Sequence, residues 1–249
     1  MRHKLLILLA CALVVPKLAA SPAAAQGERS WLSINASQEA PYHLPDGSGF
    51  EDRLVIEIFA RLGIEVRIRD VPAARGLALL EQGEDDGTLP RNEAAARGRA
   101  NFVMIPEKAL DREYVVFARN VNFQPTGWES LAPYRVGIMN GWRIVVERVP
   151  KAAQVTGVND HRQLFRLLEA GRVDAVVFNR WGGLHVVREL GLDGVQILEP
   201  SLASEPSFFF LHRRHEALAK RAADVLRDMK CDGTYDRIYE TVLRAPKQK

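Results

Sequence analysis

Two seven-residue phrases in this chain nearly coincide: Leu80–Asp86 reads L-E-Q-G-E-D-D and Leu168–Asp174 reads L-E-A-G-R-V-D, 88 positions later. The residues that follow differ in kind. Gly87-Thr88-Leu89-Pro90 leads to Arg91, whereas Ala175-Val176-Val177-Phe178 leads to Asn179. A guanidinium offers a planar fork of donors that matches a carboxylate. A carboxamide donates and accepts but brings no charge.

Other residues capable of chemistry are sparse. His212 and His215 stand three apart, a spacing open to a metal, but no third ligand accompanies them and exposed histidines are the better account. Gly141-Trp142 opens a helix, where unpaired backbone N–H groups can receive an anion. Cys231 reads as a small buried hydrophobe near a helix end, and Cys11 lies in an apolar leader, so no internal disulfide is expected. The chain carries no G-x-S-x-G, Walker A, G-x-G-x-x-G or H-E-x-x-H pattern, and no acid stands out for proton transfer. The reading is therefore a non-enzyme with no catalytic residues, no metal and no cofactor.

These residues need elements to hold them. Short β-like runs alternate with amphipathic helices, an α/β pattern. Strands are expected at Trp31–Ala36, Ile64–Arg69, Gly87–Leu89 (cut off by Pro90), Val115–Ala118, Arg135–Met139, Ala175–Phe178, Val195–Leu198 and Phe208–Leu211. Helices are expected at Phe50–Leu62, Ala73–Gln82 with Leu77 and Leu80 inward, Trp142–Val149, and from an Asp160 cap to Gly171. Glu216–Met229 follows as a strong helix, with a short terminal one after Gly233. The repeated phrase is then a helix end, a left-handed glycine and a strand entry. Each copy ends the second helix of a β-α-β-α-β half, so two lobes are expected, joined by crossovers at Val115–Arg119 and Ser204–Phe208. Parallel strand ends facing a crevice are where such folds bind ligands.

The first 25 residues read as a secretory signal peptide: basic Met1–Lys4, apolar Leu5–Val15 and a small-residue site at Ala23-Ala24-Ala25. The chain carries a net charge of +3, and Arg2, Lys4 and Lys17 all fall in that leader, leaving the rest near neutral. Such a surface gives no footprint for nucleic acid. A competing reading takes Leu8-Leu9-Ala10-Cys11 as a lipoprotein box. No later stretch is apolar for the length of a membrane span. The expected location is the periplasm.

An ordered set of short motifs resembles the family 3 extracellular solute-binding proteins, with the two-lobed type II periplasmic-binding fold. It runs through Ala40-Pro41-Tyr42-His43, Gly49-Phe50-Glu51-Asp52, Arg61-Leu62-Gly63-Ile64, Val71–Leu77, Gly83–Gly87 with Arg91, Tyr134–Ile138, Gly141-Trp142, Gly171–Asp174, Leu211-His212 and Met229–Thr234. The pattern looks like a divergent branch in which P-x-x-R-x-L and G-x-x-D-G-x-x-x-R replace the commoner T-P-E-R. The resemblance implies a discontinuous lobe 1 (26–118 plus 208–249), a lobe 2 (119–207) and a cleft between them that closes on a small polar solute. It also implies a monomer that hands its solute to an ABC-type permease. A dehydratase-like enzyme on the same fold and a sensory binding protein are the alternatives.

On that resemblance Arg91 matches the arginine that pairs with a ligand carboxylate, Arg75 is the branch's other cleft cation, and Arg97 lies close by. Tyr42 stands where family members place an aromatic over the ligand, Trp142 can wall the pocket, and Trp181 has the same choice between wall and core. Asn179 takes the place of the aspartate that commonly meets an α-ammonium, which weakens selection for an amino group. Ala73 or Ala74 replaces a frequent aromatic.

Overall fold

The computed structural model describes residues 31–37 and 39–244. The signal peptide and Cys11 lie outside the described residues. The first half contains β1 (Trp31–Ala36), α1 (Phe50–Ala60), β2 (Glu65–Asp70), α2 (Ala73–Gln82) and β3 (Gly87–Arg91). A short β4 (Phe102–Met104) precedes the long β5 (Leu110–Ala118). The second half repeats the order: β6 (Arg135–Met139), α3 (Arg143–Arg148), β7 (Gln154–Val158), α4 (His161–Glu169) and β8 (Ala175–Asn179). Then come α5 (Arg180–Glu189), β9 (Gln196–His212), α6 (Glu216–Cys231) and α7 (Thr234–Val242).

The strands lie in the order β2-β1-β3-β9-β5-β8-β6-β7, with β4 also on β9. Each half is a parallel trio, β2-β1-β3 or β7-β6-β8, and the antiparallel β5–β9 pair joins them. The first trio packs its apolar face against α1 and α6, through Ile34, Leu54, Ile58, Leu226 and Met229. The second buries both faces, with Phe165 and Phe178 on one side and Val136 and Val177 on the other. This is why β8 is a continuous apolar run.

The repeated phrase does the same mechanical work in both halves. Gly83 and Gly171 take positive φ of 75° and 64° and turn the chain out of α2 and α4. Asp86 then exchanges bonds with Ser33 of β1: its N–H donates to the Ser33 carbonyl and its Oδ2 accepts from the Ser33 N–H, both at 2.8 Å. Asp174 does likewise with Arg135 of β6, at 2.8 and 3.0 Å. The aspartate is a clasp that starts the pairing of each central strand with its neighbour.

Several elements depart from expectation. The two separate strands expected at Val195–Leu198 and Phe208–Leu211 are one strand of 17 residues, because β5 pairs along it from Leu110↔Ser207 to Ala118↔Gln196. The crossovers are correspondingly longer than Val115–Arg119 and Ser204–Phe208. β3 runs through Pro90 to Arg91, since an irregularity between Thr88 and Arg91 removes the need for a Pro90 N–H. Leu79, not Leu77, joins Leu80 in the interior of α2; Leu77 is half-buried and turns to the cavity described below. Cys231 is exposed, on the outer side of α6 from Met229. Among the described residues no helix is long and apolar enough to cross a membrane.

Candidate functional site

A cavity of about 710 Å³ lies between the two trios, lined from α2, β3, β5, the α3 turn, the end of β8 and Glu205–Ser207 of β9. The strand ends and helix openings of both halves converge there, as the parallel order requires. At its inner wall sits a compact polar cluster. Arg112 of β5 forks between two carboxylates, Nη1 on Glu39 at 2.7 Å and Nη2 on Glu51 at 2.6 Å. Its guanidinium lies 4.1 Å over the Tyr42 ring. Glu51 is 2% exposed, and burial pushes its carboxyl up to about 7 despite Arg112. Burial opposes the charge of Arg112, but Glu39 and Glu51 hold its pKa above the usual arginine value.

Arg91 is placed differently. It lines the cavity, donates to its neighbour Pro90's carbonyl at 3.2 Å and to Ser37 Oγ at 3.1 Å, and its Nε is buried with no hydrogen-bond partner. No described carboxylate lies within ion-pair distance of it, and burial pushes its guanidinium down. A buried donor without a partner costs about 1–3 kcal/mol. Arg112 is a neutralised cation; Arg91 is not.

Asn179 lines the cavity too, but its amide is largely occupied. Oδ1 accepts from the Gly182 N–H at 2.8 Å, capping α5, and from the Tyr42 hydroxyl at 3.1 Å; Nδ2 donates to Glu39 at 2.9 Å. Both acceptor positions are spent within the protein. Tyr42 is 1% exposed, its hydroxyl tied to Asn179 and its pKa raised by burial. Trp142 lines the cavity with its ring tilted on Phe178, centroids 4.5 Å apart, and edge-on to Tyr114. It is the N-cap of α3, which is six residues long, so the expected helix opening is one residue later and short.

Arg75 sits exposed on the first turn of α2 and is not among the residues lining the cavity, though Ala73 and Ala74 are. Arg97 lines it. Trp181 packs edge-on to Tyr239 of α7, centroids 5.6 Å apart, so it belongs to the contact between α5 and the first-half core. His212 Nδ1 accepts from the Arg214 N–H, while His215 faces Asp86 at 2.6 Å. Sequence reasoning missed Glu39 and Arg112. Glu39 stands one position before the motif Ala40-Pro41-Tyr42-His43, and Arg112 falls in the unrecognised first part of β5.

Solved structures align over nearly the whole described chain. An ancestral arginine-binding protein bound to arginine matches at a TM-score of 0.68 and 24% identity, over 86% of this chain and 98% of that one. The fold is that of the type II periplasmic binding proteins. A histidine kinase sensor domain with similarity to periplasmic binding proteins matches this fold at 0.70 and 20% identity, over 86% and 96% of the chains. An uncharacterized protein of Shewanella oneidensis is 28% identical over 186 residues, 72% of this chain and 70% of that protein. No family model matches.

Proposed function

We propose that this periplasmic-binding-fold protein is a receptor that closes its two lobes on a small polar solute bearing a carboxylate. One observation carries the reading: Arg91 lines the cavity, its guanidinium has no ion-pair partner among the described residues, and its buried Nε has no hydrogen-bond partner. A carboxylate satisfies both through two parallel charge-assisted bonds. Glu39, paired through Oε1 alone, adds a carboxylate on the same wall that suits a solute with an ammonium as well. The amino-acid-bound neighbours support a solute-binding role, and their fold together with the leader favours the periplasm. The divergent Pro72–Leu77 pattern is part of this reading. Lobe 1 is taken as 26–118 with 208–249, lobe 2 as 119–207, and the receptor as a monomer.

Delivery to an ABC-type permease is the first use we assign it, and sensing is the second, favoured by the histidine kinase sensor domain of the same fold. Thermal-shift screening against amino acids and organic acids tests capture: a ligand at 100 times its Kd stabilises the protein by about 2.7 kcal/mol. A purely cationic best ligand, or unchanged carboxylate binding by Arg91→Ala, overturns the reading. Gene deletion then separates the uses, since lost uptake supports delivery and intact uptake with a lost response supports sensing.

A further inference from the structure

We infer that the cavity mouth holds a second anion subsite, formed by arginines of both halves, so the preferred solute is a dianion. This rests on the Arg91 reading above. Six arginines and three glutamates line the cavity, with no lysine and no aspartate. At the inner wall the charges answer one another, Arg112 lying between Glu39 and Glu51. Away from that wall the arginines outnumber the carboxylates, Arg97, Arg99, Arg143 and Arg148 against Glu147 and Glu205. Arg97 follows the turn after β3 and is exposed, and its guanidinium has no hydrogen-bond or ion-pair partner among the described residues. Arg148, at the last position of α3, is in the same state. Arg99 is held in place, its Nη1 on the Ala95 carbonyl at 2.7 Å and its guanidinium 5.5 Å over the Phe102 ring. Arg143 has only the Glu147 carboxylate at 3.3 Å, both groups more than half exposed.

Cations thus enter from the β3 side and from the α3 side of a single cleft. Lobe closure around a solute brings the two sides toward its outer end. A cleft with an excess of one sign of charge, here six arginines against three glutamates, concentrates its field, whereas isolated surface charges are screened within about 8 Å at physiological salt. A solute anchored at Arg91 by one carboxylate places a second negative group where Arg97 and Arg148 lack partners. The chemistry recognised is a small diacid rather than a neutral-side-chain acid.

Titration calorimetry on the purified protein with two matched pairs, glutarate with its monoamide and L-glutamate with L-glutamine, tests this. The diacid member of at least one pair is expected to bind about tenfold tighter or more, a gap that narrows as salt rises. The ratio should collapse toward one in the Arg97→Ala/Arg148→Ala double variant, both positions being exposed and compatible with folding. Equal binding of acid and amide, no binding of any probe, or a ratio unchanged by the double variant overturns the second subsite. If Arg91→Ala abolishes binding of both members while the double variant leaves their ratio intact, the carboxylate receptor stands and the dianion preference falls. If Arg91→Ala changes nothing, the receptor reading itself fails.

Discussion

Tyr42 and Asn179 are 137 positions apart, and the phenol of the first donates to the amide oxygen of the second at 3.1 Å. One follows β1 and the other ends β8, so the bond spans the two halves at the inner wall of the cavity. With the Asn179–Glu39 bond at 2.9 Å it forms a latch made of protein groups alone.

Tyr42→Phe removes that bond and leaves Asn179 Oδ1 with one partner. The expected loss is about 1 kcal/mol in urea unfolding, with a larger radius of gyration in X-ray scattering as the halves separate. Asn179→Asp keeps the α5 cap but sets a carboxylate against Glu39, and a loss of about 1–3 kcal/mol is expected. An unchanged midpoint for Asn179→Asp would show that the latch contributes nothing.

Arg91→Met should separate binding from stability. Deleting a buried charge with an orphaned Nε raises the unliganded unfolding free energy by about 1 kcal/mol, while carboxylate binding disappears. A variant that unfolds earlier than the parent would mean that Arg91 is structural.

The contribution of Glu51 to stability should fall as pH rises from about 4.5 to above 7. Glu51, raised by burial from 4.5 to about 7, keeps a proton in the folded protein that the unfolded chain releases over that window. The lost stability is on the order of 3 kcal/mol. His43 adds to the same slope. Burial acts to lower its pKa, but bonds to Asp52 at 2.6 Å and to Asp70 prevail and raise it. Its contribution is complete below its ordinary 6.5 and fades as pH climbs through the raised value. Urea midpoints across pH 4.5–8 check this, and Glu51→Gln should flatten the lower part of the curve. A Glu51→Gln curve with the parent's slope over the lower part contradicts it.

Gly183→Ala should be among the costlier single-atom changes. A Cβ there would lie 2.2 Å from the Phe117 ring, so α5 must move off β5, at about 1–3 kcal/mol. Gly183→Ser should cost at least as much; a neutral effect would mean the ring yields freely.

What could be read from residues alone follows from how each element buries its side chains. The Ala175–Phe178 run, the Asp160 cap (its Oδ1 2.7 Å from the Gln163 N–H) and the stripe of α6 each carried an unambiguous local signal. α5 did not, because Gly182 and Gly183 sit where an ordinary helix carries side chains, a choice forced by Asn179 and Phe117. β7 did not either, since four of its five residues are exposed at the sheet edge and show no inward face. At the site, Arg91 and Asn179 were legible because the repeat aligned them. Glu39 and Arg112, 73 positions apart, had no shared periodicity and met only through the fold.

β9 passes from one half of the molecule to the other without a break, and β5 pairs with it save for a slip between Tyr114 and Val116. Movement of the halves must therefore be taken up as torsion distributed along a doubled ribbon, not as rotation at a loose joint. The ribbon also borders the cavity: Phe208 pairs with Arg91, and Glu205 and Ser207 line it. In the proposed receptor, occupancy of the cavity becomes backbone twist, a mechanical output available to whatever grips the outer surfaces of the two halves.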